Sequence, residues 1–226
     1  MANFGALTDH FSVATADLVL VDSSAIPVAQ TRADAQDESG DIAASDWHGN
    51  TTAGLSEASC TYALKSGTLD LTTLVLGQIS EGVVALNIEV ATSNGAWPQV
   101  TVSGITGSDA LEQVKTYALI GPTINGKKIA QVMGVAVTTG KLTDCNLSAS
   151  VDWAQQEDGV GEPAAYGVSG GMLSSTATAV GVTAEAPVLA AAATWTISQA
   201  TSLDEPQATW HTASITVEQA LVVAIA

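Results

Sequence analysis

The sequence predicts a mainly β protein: an antiparallel, sandwich-like or barrel-like subunit carrying one short helix. Three observations lead there. Apolar residues alternate with polar ones in several runs, which is the mark of a strand with one buried face. Turn residues punctuate those runs. Ala, Thr, Ser, Val and Gly dominate the composition, while aromatics are only 4% and charged residues 13%, a choice that suits a pleated surface better than a soluble helix bundle.

Taken in chain order, residues 84–90 place Val84, Leu86, Ile88 and Val90 on one face and Asn87 and Glu89 on the other. The turn Ser93-Asn94-Gly95-Ala96 comes next, with Trp97 and Pro98 just beyond it, and 99–105 returns as the second arm of a hairpin. Ser108-Asp109 can cap a helix to about Tyr117, with Leu111, Val114 and Ala118 at helical spacing and Asp109, Glu112 and Lys115 placed as the helix dipole prefers. Asn125-Gly126 introduces a run at 129–138 that Thr139-Gly140 closes.

Residues 147–153 alternate strictly: Leu147, Ala149, Val151 and Trp153 against Ser148, Ser150 and Asp152. The stretch 172–182 is rich in Ser, Thr and Ala with β character. Runs at 193–201 and 208–219 flank a polar connection and read as a terminal hairpin, with His211, Ala213, Ile215 and Val217 sharing a face. A short helix at 217–221 is a weaker pattern. Two stretches read as loops: 34–50, acidic and mobile, and 155–161. No composition break marks a second domain, so residues 1–226 read as a single β-rich domain with an acidic arm at about 33–50.

Charge narrows the function. Six basic residues against 23 acidic ones give a net charge of −17, yet 46% of residues are hydrophobic. That combination describes a foldable chain with a one-signed surface, since disorder needs low hydrophobicity as well. Static binding to phosphate backbones needs Lys/Arg clusters, and the only adjacent pair is Lys127–Lys128. An acidic wall repels DNA, which suits a passage through which DNA slides. Cys60 and Cys145 allow one disulfide, or two unpaired thiols in a reducing compartment. No basic and apolar N-terminal signal and no membrane-length apolar run is visible.

The chemistry-bearing residues are sparse. Asp34, Asp37, Glu38, Asp41 and Asp46 lack the alternating spacing of a calcium loop. His10, His48 and His211 form no ligand pair, and the cysteines are not at metal spacing. Gly167-Val168-Ser169-Gly170-Gly171 spells a serine-nucleophile elbow, with Asp204 and His211 in the right order downstream. The residues after it carry no helical pattern, so a Gly-rich turn feeding a strand is the reading. Glu157-Asp158 and Asp204-Glu205 sit in turns rather than across a sugar cleft. The expectation is a protein that is not an enzyme, with no catalytic, cofactor or metal residues.

Four stretches carry a resemblance: the strand pair 84–105 with its S-N-G-A-W-P turn, T-I-N-G-K-K-I-A-Q at 123–131, the G-E-P-A-A-Y-G-V-S-G-G crossover at 161–171, and the terminal hairpin. Together they resemble self-assembling viral structural subunits, and more narrowly the major tail tube proteins of tailed bacteriophages. That resemblance implies a sandwich-like subunit with a flanking helix. Hexameric rings of it would stack around a DNA-conducting channel with an acidic lumen. Arms would come from 33–50, the N-terminal segment and the C-terminal tail, and the lumen lining from 172–182 and 193–219. The implied partners are copies of itself, other virion tail proteins and DNA in passage. The implied location is the virion tail, after synthesis in the host bacterial cytoplasm and with no membrane. The competing readings are a head decoration or coat protein, and a carbohydrate- or cell-binding β module using Trp47, Trp97 or Trp153 as sugar platforms.

Overall fold

The computed structural model describes residues 7–27, 31–36, 39, 42–48, 56–70, 75–77, 79–80, 82–93, 96–106, 116–118, 123–125, 134–157, 163–181, 187–203, 211–221 and 223–224. These form strands and connections, with no helix among the described residues. In chain order the strands are β1 (Leu18–Pro27), β2 (Thr31–Gln36), β3 (Ile42–His48), β4 (Ser56–Leu64), β5 (Thr68–Asp70) and β6 (Val75–Leu76). Then come β7 (Ile79–Ser80), β8 (Val83–Ser93), β9 (Gln99–Thr106), β10 (Thr116–Ala118), β11 (Thr123–Asn125) and β12 (Val135–Thr139). The rest are β13 (Lys141–Glu157), β14 (Pro163–Val180), β15 (Val188–Ala191), β16 (Thr196–Leu203), β17 (Thr212–Ala220) and β18 (Val223–Ala224).

One nine-stranded sheet dominates, in the order β1-β4-β9-β8-β13-β14-β17-β16, with β7 beside β8. Every pairing in it is antiparallel. It is open: among the described residues no ladder closes it into a barrel. Smaller sheets pair β18-β10-β6, β11-β5, β12-β15 and β2-β3.

The predicted hairpins at 84–105 and at the C-terminal end are present. In the first, Val90 faces Val100 and Ile88 faces Val102 across β8 and β9. These four side chains, with Val84, are almost wholly buried, so each contributes about 1.5–3 kcal/mol of apolar transfer energy. In β13 the alternation holds as read: Leu147, Ala149 and Val151 are buried, while Ser150 and Asp152 are exposed. In β17, Ala213, Ile215 and Val217 are buried between β14 and β16. Most of the core lies on this face of the sheet; Val84 and Ile105, paired with each other past the bulge between Ala85 and Asn87, are buried where Ile105 stands opposite Glu57. One half is covered by Phe11 and Val13 of the N-terminal segment and by Leu76 of β6. The other half, around Val135, Cys145, Ala177 and Ile215, is covered by Leu189, Ala191 and Trp195.

Trp195 reaches both halves, and its indole lies directly on Gly134. A Cβ there would stand 2.3 Å from the ring, and the backbone φ is +72°, so glycine is required twice over. The N-terminal segment is pinned by Asp9. Its carboxylate accepts the Tyr62 hydroxyl at 2.5 Å and the Ala14 amide at 2.8 Å. Thr8 accepts a bond from the Cys60 thiol and donates its amide to the Ser23 hydroxyl.

Four expectations need correction. The helix at 108–117 ends in strand: Thr116 and Tyr117 belong to β10, where Tyr117 pairs with Leu76 and Val223. Residues 107–115 lie outside the described residues. The short helix expected at 217–221 is instead the end of β17, because Val217 is fully buried opposite Ser175 and Ile197 and the ladder to β14 continues through Ala220. The acidic stretch at 34–50 is not simply a loop: β2 and β3 pair in register, Ala33 with Asp46 and Asp34 with Ser45. The predicted loop at 155–161 begins late, since β13 continues to Glu157 and pairs Gln155 with Tyr166.

The glycine-rich crossover expected at 161–171 is also corrected over its described part: 163–171 belong to one continuous strand with a bulge. Asp152 pairs with Ser169 while Ser150 pairs with Met172, so Gly170 and Gly171 bulge against the single residue Val151. Both glycines have positive φ, +67° and +140°. Beyond this bulge, among the described residues, 152–157 and 163–169 form ladders only with each other, because the β8 ladder on β13 ends at Ser150 and the β17 ladder on β14 at Met172. The hairpin thus leaves the sheet as a two-stranded ribbon, anchored at its base by half-buried Trp153 and fully buried Val168.

Candidate functional site

The face of the main sheet opposite the core is a field of short polar side chains, and register explains its order. Row by row, residues directly across from one another repeat the same chemistry. One row runs Asp22, Thr61, Thr101, Glu89, Ser148, Ser174, Glu218 and Thr196 across all eight strands of the path. Hydroxyls couple neighbouring strands: Thr61 to Thr101 at 3.1 Å, and Thr176 to Thr216 at 2.9 Å. Such cross-strand pairs each add a few tenths of a kcal/mol and fix register. Asp22, Glu57, Glu89, Asp144 and Glu218 all lie on this face, so it is acidic as well as polar. The stretches read as lumen lining, in β14, β16 and β17, belong to it: Ser174, Thr176 and Thr178 stay half-exposed while Leu173, Ser175, Ala177 and Ala179 are buried.

The sheet ends in two strands whose ladders are one-sided among the described residues. β1 pairs only with β4, and β16 only with β17. Both edges expose large apolar residues: Val21 and Ile26 on β1, 44% and 65% exposed, and Ile197 on β16, 55% exposed. An edge with open backbone donors and apolar side chains is a template for another strand.

On the polar face, near the β8–β9 turn, lies an open depression of about 540 Å³. Trp97, Lys65, Gln99 and Asn146 stand around it, and Ala63 and Ala91 floor it. Backbone ties hold its walls. The Leu64 amide donates to the Pro98 carbonyl at 2.9 Å, and the Lys65 amide to the Asp17 carbonyl at 2.9 Å. The Ser66 hydroxyl also donates to the Asp17 carboxylate. A bulge between Leu20 and Asp22 re-aims Val21 toward the same hollow.

The residues weighed for chemistry do not converge. Ser169 lies in mid-strand in β14, not at a strand-to-helix elbow, and His211 is half-buried just before β17. Asp204 lies outside the described residues, as do Asp37, Glu38, Asp41 and Asp158. Asp34 and Asp46 sit on paired strands β2 and β3. Among the described residues no three His, Cys, Asp or Glu side chains could share a metal ion. No helix among them is long and apolar enough to cross a membrane.

Cys60 and Cys145 are both free and buried. Two strands separate them, on the order of 14 Å sideways, well beyond the roughly 7 Å Cα limit of a disulfide. Burial pushes the Cys145 thiol up to about 11, while the Thr92 and Ser175 hydroxyls pull it partly back. The Thr92 hydroxyl itself donates to the Cys145 carbonyl at 3.0 Å. The Ser175 hydroxyl stands beside that thiol without a bond of ordinary geometry.

Asp9 is the other perturbed group. Partial burial pushes its carboxyl upward, but bonds from the Tyr62 hydroxyl and the Ala14 and Val13 amides outweigh that and hold it below the usual carboxylate value. Tyr62 is raised above the ordinary tyrosine value, first by burial and then by the bond to Asp9. Neither the edges nor the depression was evident from sequence alone, although exposed Trp97 beside the S-N-G-A turn was a signal for the latter. Of the other proposed platforms, Trp153 packs against the core and the Trp47 side chain lies outside the described residues. The sequence matches no protein-family model and no curated protein.

Proposed function

We propose that the chain is a structural subunit that polymerises with copies of itself, in the manner of a phage tail tube, into stacked rings around an acidic channel for DNA. The parity of the sheet is the observation that carries this reading. Eight strands run antiparallel from β1 to β16. The two edge strands therefore point in opposite directions. A neighbour related by simple rotation offers its β1 antiparallel to this chain's β16, and the alternation continues without a break. Such a head-to-tail contact is heterologous, and it closes into a ring when the rotation permits. Closure removes the exposed edges and buries Ile197 and Ile26.

The polar face supports a lumen role. Its Ser, Thr, Asp and Glu side chains give a mainly acidic wall, with Lys65 beside the depression, and repulsion keeps a polyanion from adhering in transit. The same repulsion acts between subunits, so assembly strengthens as salt screens it; the Debye length falls from about 10 Å at 0.1 M to about 3 Å at 1 M.

The test is negative-stain microscopy with sedimentation velocity at low and high salt. Rings or tubes that grow with salt support the reading, and sixfold rings support the tube in particular. A trimer or isolated knob points to a decoration or coat protein. A monomer at every concentration and salt overturns the proposal.

A further inference from the structure

We propose that the depression beside Trp97 is a binding site for a neutral pyranose sugar, a property independent of polymerisation. Its parts match what a sugar ring needs. A hexopyranose has an apolar face of C–H groups and a rim of hydroxyls. Trp97, 39% exposed and lining the depression, supplies aromatic surface for the former. Gln99 and Asn146 bring amides and Lys65 an ammonium, together able to donate to and accept from the rim. Ala63 and Ala91 keep the floor low, so a ring can settle close to the sheet. A volume of about 540 Å³ lies in the ordinary range for small-ligand sites, with room for one or two sugar units.

The walls are pre-organised rather than assembled on binding. Trp97 precedes Pro98, which is buried and receives the Leu64 amide; Lys65 comes next to Leu64 and is anchored through its own amide to Asp17. Beneath that loop the Asp17 carboxylate lies where a side chain on Gly67 would sit, 2.8 Å from the Cβ position. Gln99 and Asn146 stand on β9 and β13, either side of Ala91 on β8, so their spacing is set by the ladder. Backbone positions set in advance reduce the ordering that binding would otherwise require. Charge selects the class of sugar: a chain of net charge −17 disfavours polyanionic glycans, whereas a neutral ring is unaffected.

The experiment is saturation-transfer difference NMR on the full chain with glucose, galactose, mannose and N-acetylglucosamine as probes. Sorbitol, which has the hydroxyls but no ring, serves as the control. At least one pyranose is expected to receive saturation at its ring protons while sorbitol receives none. Trp97→Ala should weaken binding at least tenfold, and Trp97→Phe, which keeps a ring and the fold, by less. Asn146→Ala should weaken it about threefold to tenfold. No transfer to any of the four sugars, equal transfer to sorbitol, or unchanged binding by Trp97→Ala overturns the site. Because transfer is read per chain, its failure leaves ring formation untouched, and a monomer that binds sugar would overturn the tube alone.

Discussion

Replacing Tyr62 with Phe removes one hydroxyl from a side chain that is otherwise wholly buried, and so isolates the bond that straps the N-terminal segment to the sheet. A hydrogen bond to a charged group contributes roughly 1.5–3 kcal/mol net. Asp9 keeps the Ala14 amide at 2.8 Å and the Val13 amide at 3.4 Å, and it is only partly buried, so water replaces some of what is lost. The expected loss is therefore at the lower end, about 1.5 kcal/mol, or roughly 3–6 °C in Tm for a chain of this size. Urea unfolding at fixed protein concentration measures it.

The pH dependence adds a second constraint on that pair. The Asp9 pKa is depressed in the fold, so its stabilisation is present above the ordinary unfolded value and disappears as pH falls through the folded one. The Tyr62 pKa is raised, so its contribution is complete below about pH 10 and is lost as pH climbs beyond that. The gap between wild type and Tyr62→Phe should thus be flat near neutrality and narrow below about pH 4 and above about pH 10. A variant as stable as wild type at pH 7, or a gap unchanged in acid, would refute the strap.

Gly134→Ala drives a Cβ into the Trp195 ring and forces a positive φ on alanine; a loss of about 2–4 kcal/mol and an altered near-UV tryptophan signal are expected in denaturation and circular dichroism. Ile88→Ala, at a 1% exposed site, should lose about 2–5 kcal/mol of stability, whereas Ile197→Ala, at a 55% exposed one, should change the unfolding of an isolated chain by less than about 0.5 kcal/mol while weakening self-association in sedimentation. Both thiols should resist a bulky thiol reagent at pH 8 in the native state and react together at the rate of unfolding; rapid native labelling of Cys145 would contradict its burial and its raised pKa.

Strands are legible in this chain where their burial is one-sided. In β13 and β17 one face meets the core and the other meets solvent, so the period of two is written directly in Leu147, Ala149 and Val151 and in Ala213, Ile215 and Val217. The β2 strand alternates too, with Thr31, Ala33 and Ala35 against Arg32, Asp34 and Gln36, but the run of acids from Asp34 to Asp46 argued for a solvated loop. Thr116 and Tyr117 are strand because they pair with Leu76 and with Val223 and Ala224, and no local rule reads contacts so distant. The same holds for the candidate site. Trp97 and Lys65 stand 32 positions apart in the chain and meet only because β4 and β9 pair. Edge parity, which carries the ring proposal, is a property of strand order, and strand order is not local either.

The paired glycines at 170 and 171 have an effect on how this fold can vary. They uncouple the distal hairpin from the register of the sheet, since among the described residues no ladder joins 152–157 or 163–169 to β8 or β17. Excising two residues from each strand there would retract the protrusion by roughly 7 Å without turning any side chain to the opposite surface. Matched lengthening would extend it by the same step. The protein therefore contains an adjustable spacer: its reach can be reset while every inboard contact keeps its address, which makes this the natural place to splice in a tag or a foreign epitope.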